Sequence, residues 1–415
     1  MMNGLREDFQ ALKINSVESL LYMTGAFQAQ DPRDRIYSLL GLQGANISRS
    51  DSKVVEPDYE KPVEDVFVDA ARACIMQSSS LTICGLKDCA SSQMQESLPS
   101  WVPNFATTAL NPTTSLCRPV PLRPYNACGD TSLVVAWPYE ERQDLLVTSS
   151  CNIETIVSVS NDLPWGREAL TSIALEWTKL ASTVGRQYPT GEFAPDAFVR
   201  TCVVDTSGSL RQSPMPRDYH VSLCRLFERC YDHHISLKCG GLDTIDEIIF
   251  KECTNPLIAT LIVDTYRTES PTDRNEAEQN ATASVDTTVG GGGPSSGGAP
   301  VDPNAVEALW QACNNRRFFV TGNGFFGLGP RDLRMGDEVH ILGGTPVPFI
   351  LRPYVASTAG SDAPDEDGRT PTVLDVIGED DMRLYRMVGE CYIHGYMQGE
   401  VATRNDVEWE GVGIF

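Results

Sequence analysis

Residues 316–354 read RRFFVTGNGFFGLGPRDLRMGDEVHILGGTPVPFILRPY, and residues 385–400 read YRMVGECYIHGYMQGE. Short aromatic and β-branched runs are cut by GNG, MGD and GGTP, the sequences of tight turns between antiparallel strands. The spacing predicts a β-meander with structural turns at Gly322, Gly324, Gly327, Gly329, Gly336, Gly343 and Gly344. Trp101, Phe318, Phe319, Phe325, Val339, Ile341, Phe349 and Ile350 are its expected core.

Three further strand-like runs lie far upstream, at 133–137, 145–148 and 153–159. Neither group is large enough for a comfortable sheet of its own. The two are therefore expected to pair with each other. The fold class that follows is α+β: a helical N-terminal region and a small antiparallel β-barrel or sandwich, with strands from about 120–160 and 316–400, interrupted by a helical insertion.

Helical signals fill the rest. Asp31-Pro32-Arg33-Asp34 opens a short helix that Gly41 can close. After Pro62, the residues Val63, Val66, Phe67, Ala70 and Cys74 fall on one helical face, as do Leu170, Ile173, Ala174, Trp177, Leu180, Ala181 and Val184 further on. More helices are expected near 195–206, 217–236, 243–264 and 304–315. The tract 268–303, rich in Gly, Ser, Thr and acidic residues, reads as a linker, and 357–372 reads as a second polar loop. The expected organisation is a helical region over 1–100, a discontinuous barrel over 101–164 and 316–415, and a helical insertion over 165–267 and 304–315.

Composition narrows the function. Fifty-six acidic against 33 basic residues give a net charge of −23, which repels phosphate backbones, so no nucleic-acid partner is expected. No window has the apolar length of a membrane span and no signal peptide opens the chain, so a cytoplasmic protein is expected. Thirteen cysteines scattered along 415 residues fit reduced, buried thiols.

No motif assembles a convincing catalytic centre. The GNGFFG run at 322–327 has the spacing of a nucleotide-binding loop, yet it leads toward another strand and not into a helix. His220, Cys224, Cys230 and His233 could ligate zinc, the basis of an alternative reading as a metal-assisted hydrolase. They lack a CxxC pair and follow helical steps, so a core helix is preferred. Cys391 and His394 lie three apart in a strand and project to opposite faces. The acidic run around Asp362–Asp367 lacks the alternation of a calcium loop. Arg33, Asp34 and Arg35 could bind a partner, although helix capping accounts for the charges. No cofactor is expected, and the partner expected is a protein.

Taken together, DPRDRIYSLLGL (31–42), PDYEKPVEDVFVDAARACI (57–75), LPSWVPNF (98–105) and the C-terminal strand block resemble, in the same order, the region that follows the heterokaryon incompatibility (HET) domain in a large group of fungal proteins. The resemblance implies an intracellular protein linked to non-self recognition and the cell-death response after fusion of unlike hyphae. Motifs resembling SYVWG and WIDAICINQ, which mark the HET domain itself, are not found here. The resemblance therefore implies a non-catalytic companion region, with an inert product of a truncated gene as a further alternative.

Overall fold

The computed structural model describes residues 16–25, 27–40, 55–87, 97–106, 115–117, 124–137, 144–161, 173–207, 213–224, 226–227, 302–354, 382–403 and 407–415. They divide into two units, one built from Met1–Val159 with Gly327–Phe415 and the other from Ser160–Phe326. The helix expected near 243–264, most of the 268–303 tract and the 357–372 loop lie outside the described residues.

In the first unit, helix α1 (Val17–Met23) is capped by Ser16, whose hydroxyl accepts from the Ser19 amide at 3.1 Å. Helix α2 (Asp34–Leu40) follows the DPRD turn, where the Asp31 carboxylate accepts from the Arg33 amide at 2.9 Å. Helix α3 (Val63–Ser78) buries Val66, Phe67, Ala70, Ala71, Cys74 and Ile75, the three-and-four stepping of an amphipathic helix. It stops where Ser79 turns left-handed, at φ 48°. Phe67 meets Phe105 edge to face at 5.3 Å.

The strands are β1 (Val135–Ala136), β2 (Leu146–Val159), β4 (Phe326–Pro330), β5 (Glu338–Leu342), β6 (Phe349–Pro353), β7 (Arg383–Glu390), β8 (Tyr392–Ile393) and β9 (Glu410–Ile414). β5, β6 and β7 form an antiparallel meander. β9 then runs parallel to β7 and antiparallel to β2, and β2 pairs antiparallel with β5. The order β2–β5–β6–β7–β9–β2 closes a five-stranded barrel, with β1 added to β2 and β8 to β4. β2 serves two neighbours because it bends: Leu146–Ser150 pair with β9, Ser150–Thr155 pair with β5, and a bulge sits between Asn152 and Glu154. The upstream and C-terminal strand groups do pair, as their small numbers required.

Several details differ from expectation. Residues 145–148 and 153–159 are one continuous strand, because the polar SSCN between them is held by pairing on both sides. β9 lies beyond the expected strands, since the two glycines of EGVGI hide its pattern. Gly327 and Gly329 sit inside β4 and not in turns: at i and i+2 they leave one strand face without side chains, the condition for close backbone approach.

Val339, Ile341 and Ile350 lie on one face of the barrel strands and Phe349, Met387 and Val412 on the other, all fully buried, each contributing about 1.5–3 kcal/mol of apolar burial. Trp101 is also fully buried, with its indole donating to the Asp144 carbonyl at 2.9 Å. At the β4–β5 turn the buried Asp337 carboxylate is gripped by Arg352 through two bonds of 2.7 and 2.9 Å, a bidentate pair that ties β6 to the turn.

The second unit contains a wide helical turn over Ile173–Trp177 leading into α4 (Thr178–Ala181), then α5 (Ala194–Cys202), α6 (Pro303–Cys313) and β3 (Arg316–Thr321). Asp302 caps α6 by accepting from the Asn304 amide at 2.8 Å, with Pro303 at the first position. Its core is aromatic: Phe318 stacks on Trp177 at 5.5 Å and contacts Phe198 and Phe326 at 5.7 and 5.6 Å. Phe318 and Phe319, expected in the barrel, therefore belong to the helical unit, as does Phe325, which is only half-buried. Alternation along a strand identifies buried faces but not which unit they face.

Candidate functional site

The positive φ of Gly336, 87°, turns the chain into β5. Alternation then puts Glu338 and His340 on one face and Val339 and Ile341 on the other. β2 brings Ser150 and Asn152 to the same face, and β7 brings Tyr385. These five side chains form one network. His340 Nε2 lies 3.0 Å from Glu338 Oε2, the Tyr385 hydroxyl donates to Oε2 at 3.0 Å, and the Asn152 amide donates to it at 2.8 Å. Behind them the Ser150 hydroxyl and His340 Nδ1 are 2.7 Å apart. The imidazole meets the Tyr385 ring edge to face at 4.9 Å.

Burial alone would raise the Glu338 pKa. Hydrogen bonding and charge from His340, with the Tyr385 hydroxyl, outweigh it and hold the carboxyl below its usual range. Burial, reinforced by the Glu338 charge, pushes Tyr385 up to about 12, so its phenol keeps the proton it donates.

Glu338 and Tyr385 open onto a cavity of about 340 Å³, whose other walls are Pro353, Tyr354, Met382, Arg383 and Leu384. Tyr354 packs edge to face on Phe415 at 5.1 Å, and its amide donates to the Leu384 carbonyl at 2.8 Å. Arg383 stands on the same wall, with the nearest acidic oxygen among the described residues, on Glu410, 3.8 Å away. Serine, histidine and carboxylate here follow the order of a hydrolase triad. Ser150 and His340 are fully enclosed, however, so their effect is to fix Glu338 and not to present a nucleophile to the cavity.

The network was not anticipated. Glu338 and His340 carry the spacing of one strand face, but Asn152 lies 186 residues from Glu338 and Ser150 lies 190 from His340, separations that no local pattern encodes.

The residues singled out in the sequence are spread elsewhere. Arg35 is buried, with Nε on the Phe105 carbonyl at 3.0 Å and its terminal nitrogens on the carbonyls of Thr24, Phe27 and Gly25 at 2.8, 2.7 and 3.3 Å. Arg33 clamps Asp31 at 2.8 Å and reaches the Tyr59 and Lys61 carbonyls, while Asp34 accepts from the Tyr59 hydroxyl at 2.6 Å. The DPRD side chains thus tie α2 to the segment ahead of α3. In the second unit, His220 lies between Cys224 Sγ, 3.8 Å from Nδ1, and Asp196 Oδ1, 3.0 Å from Nε2. The Asp196 contact is close enough for an ion pair but is not aligned as a hydrogen bond. Burial opposes charge on this imidazole, yet Asp196 and Cys224 prevail and push it up to about 9. Its two nitrogens face opposite ways, so Asp196 and Cys224 do not converge with it on one ion, and among the described residues no group of three or more ligating side chains does. Cys230 and His233 lie outside the described residues.

Gly324, Gly336 and Gly344 have the positive φ of turn glycines, and a Cβ on Gly343 would come within 2.5 Å of Ser149 Oγ. Gly322 lies in the turn between β3 and β4. Glu390 is buried with its carboxylate on the Leu116 and Cys117 amides at 2.8 and 2.7 Å, and His394 Nδ1 lies 2.7 Å from the Tyr392 hydroxyl. Among the described residues, no helix is long and apolar enough to cross a membrane.

Residues 304–361 match the Het-6 beta-barrel domain. A stretch of 93 residues, 22% of this chain, is 30% identical to heterokaryon incompatibility protein 6, OR allele, of Neurospora crassa, of whose length it spans 10%. No solved structure matches the chain.

Proposed function

We propose that this chain, which carries a Het-6 barrel and is related to the heterokaryon incompatibility proteins of fungi, is a non-catalytic interaction and regulatory region acting in the cytoplasm in non-self recognition and the cell death that follows fusion of unlike hyphae. The observation that carries this reading is the barrel match itself, taken with a surface cavity whose polar wall is braced from inside. A network of three strands that holds Glu338 in one place favours shape-specific recognition, because a preorganised wall loses little freedom when it is covered.

The test is genetic. The gene, and a version encoding Gly344→Val to disrupt the barrel, would be placed in a strain lacking it, and heterokaryon growth against unlike partners scored. Loss of the incompatibility reaction with the barrel variant, at unchanged transcript level, is the expected result; equal reactions with and without the gene would refute the reading. The competing reading, a metal-assisted hydrolase using His220 and Cys224, requires stoichiometric zinc in the purified chain that disappears with Cys224→Ala.

A further inference from the structure

We infer that the cavity between β5, β6 and β7 binds a small zwitterion of the amino-acid or dipeptide class, with its ammonium on Glu338 and its carboxylate on Arg383. The inference goes beyond the role in incompatibility and stands or falls without it.

The two carboxylate oxygens of Glu338 differ in their surroundings. Oε2 carries all three donors, His340, Tyr385 and Asn152. Oε1 has no partner among the described residues, and the side chain retains 19% exposure where it lines the cavity. A carboxylate fixed by three donors on one oxygen offers the other to a cationic donor at little cost in order. Arg383 is its complement. Its side chain is 63% exposed, and its acidic neighbour among the described residues, Glu410, stands at 3.8 Å, beyond hydrogen-bond distance, which leaves the guanidinium fork donors for a ligand carboxylate among these residues. Tyr385 follows Arg383 by two residues along β7, on the same strand face, and donates its hydroxyl to Glu338 at 3.0 Å. The anionic and cationic ends of the cavity therefore both adjoin Tyr385 within one small pocket, as the two ends of an amino acid or dipeptide require.

The pairing sets the selectivity. A simple cation meets the Arg383 charge and a simple anion meets Glu338, whereas a zwitterion satisfies both. Pro353, Met382 and Leu384 supply apolar wall for a side chain, and the Tyr354 and Tyr385 rings supply flat surface beside the ammonium. The volume, about 340 Å³, lies at the small end of ligand sites.

Isothermal titration of the purified full chain at low salt tests this with four probes: leucine, glycyl-leucine, leucinamide (cation only) and N-acetylleucine (anion only). At least one zwitterion should bind, with each single-charge analogue at least about tenfold weaker. Arg383→Met, at an exposed position that the fold does not need, should lose binding of the zwitterion by a similar factor, and Glu338→Gln should do the same while retaining a native circular dichroism spectrum. Leucinamide or N-acetylleucine binding as tightly as the zwitterions, no heat from either zwitterion at about 10 mM, or wild-type affinity in Arg383→Met would each overturn the inference.

Discussion

Arg35 satisfies four backbone carbonyls with one guanidinium, which makes it a structural centre of the DPRD segment. Arg35→Met would keep the apolar stem and strand the carbonyls, each buried unmet acceptor costing about 1–3 kcal/mol; chemical denaturation should show a loss of at least about 3 kcal/mol. Two titrating residues predict opposite pH behaviour. The folded pKa of His220 is raised to about 9 from 6.5, so its stabilising contribution is complete below pH 6.5 and disappears as pH climbs to about 9. Melting curves of the wild type and His220→Gln should accordingly converge toward the alkaline end of that window. Glu338 is held below its ordinary pKa of 4.5, so its contribution is present above that value and is lost as acid takes the pH down through the folded pKa. Glu338→Gln should narrow the loss of stability between neutral and acid pH.

The element that decides closure is β9. It is five residues long, with two glycines, yet it joins β2 to β7 and removes two free edges at once. A chain ending at residue 409 should expose those edges and aggregate, measurable as a high-mass fraction on size-exclusion chromatography, since unpaired strand edges recruit other chains. The β5–β6 turn sets the register between its strands. Gly344 has φ 72°, and a Cβ there would lie 2.8 Å from Leu133 Cβ. Gly344→Ala should cost about 1–2 kcal/mol from the left-handed backbone alone, with the Leu133 contact adding to it. Both elements show where the sequence misled. Turn glycines at 336 and 344 announced themselves through GD and GGTP, whereas the glycines of β4 and β9 lie within strands, where only the neighbouring backbones explain them.

At the scale of the molecule, barrel pairings such as Ser150 with Leu342 close very long loops of chain before they are rewarded, so folding should be slow. Residues 1–159 expressed alone should lack a near-UV circular dichroism signal, because β2 would be left with neither β5 nor β9. Legible in the chain itself were the mixture of helices with a small β-barrel, the need of the upstream strands for C-terminal partners, and the resemblance of the C-terminal strands to a heterokaryon incompatibility family. Those properties reside in periodicity, turn chemistry and strand number, all of which are local or additive. Only the tertiary structure decided that β9 closes the barrel through a parallel pairing, that Phe318 serves the helical unit, and that Ser150, Asn152, Glu338, His340 and Tyr385 form one network. The physical reason is the same in each case: which faces meet is set by packing between segments far apart in sequence, from 29 residues for Arg383 with Val412 to 268 for Leu146 with Ile414, and contacts over such separations leave no periodic trace in the chain.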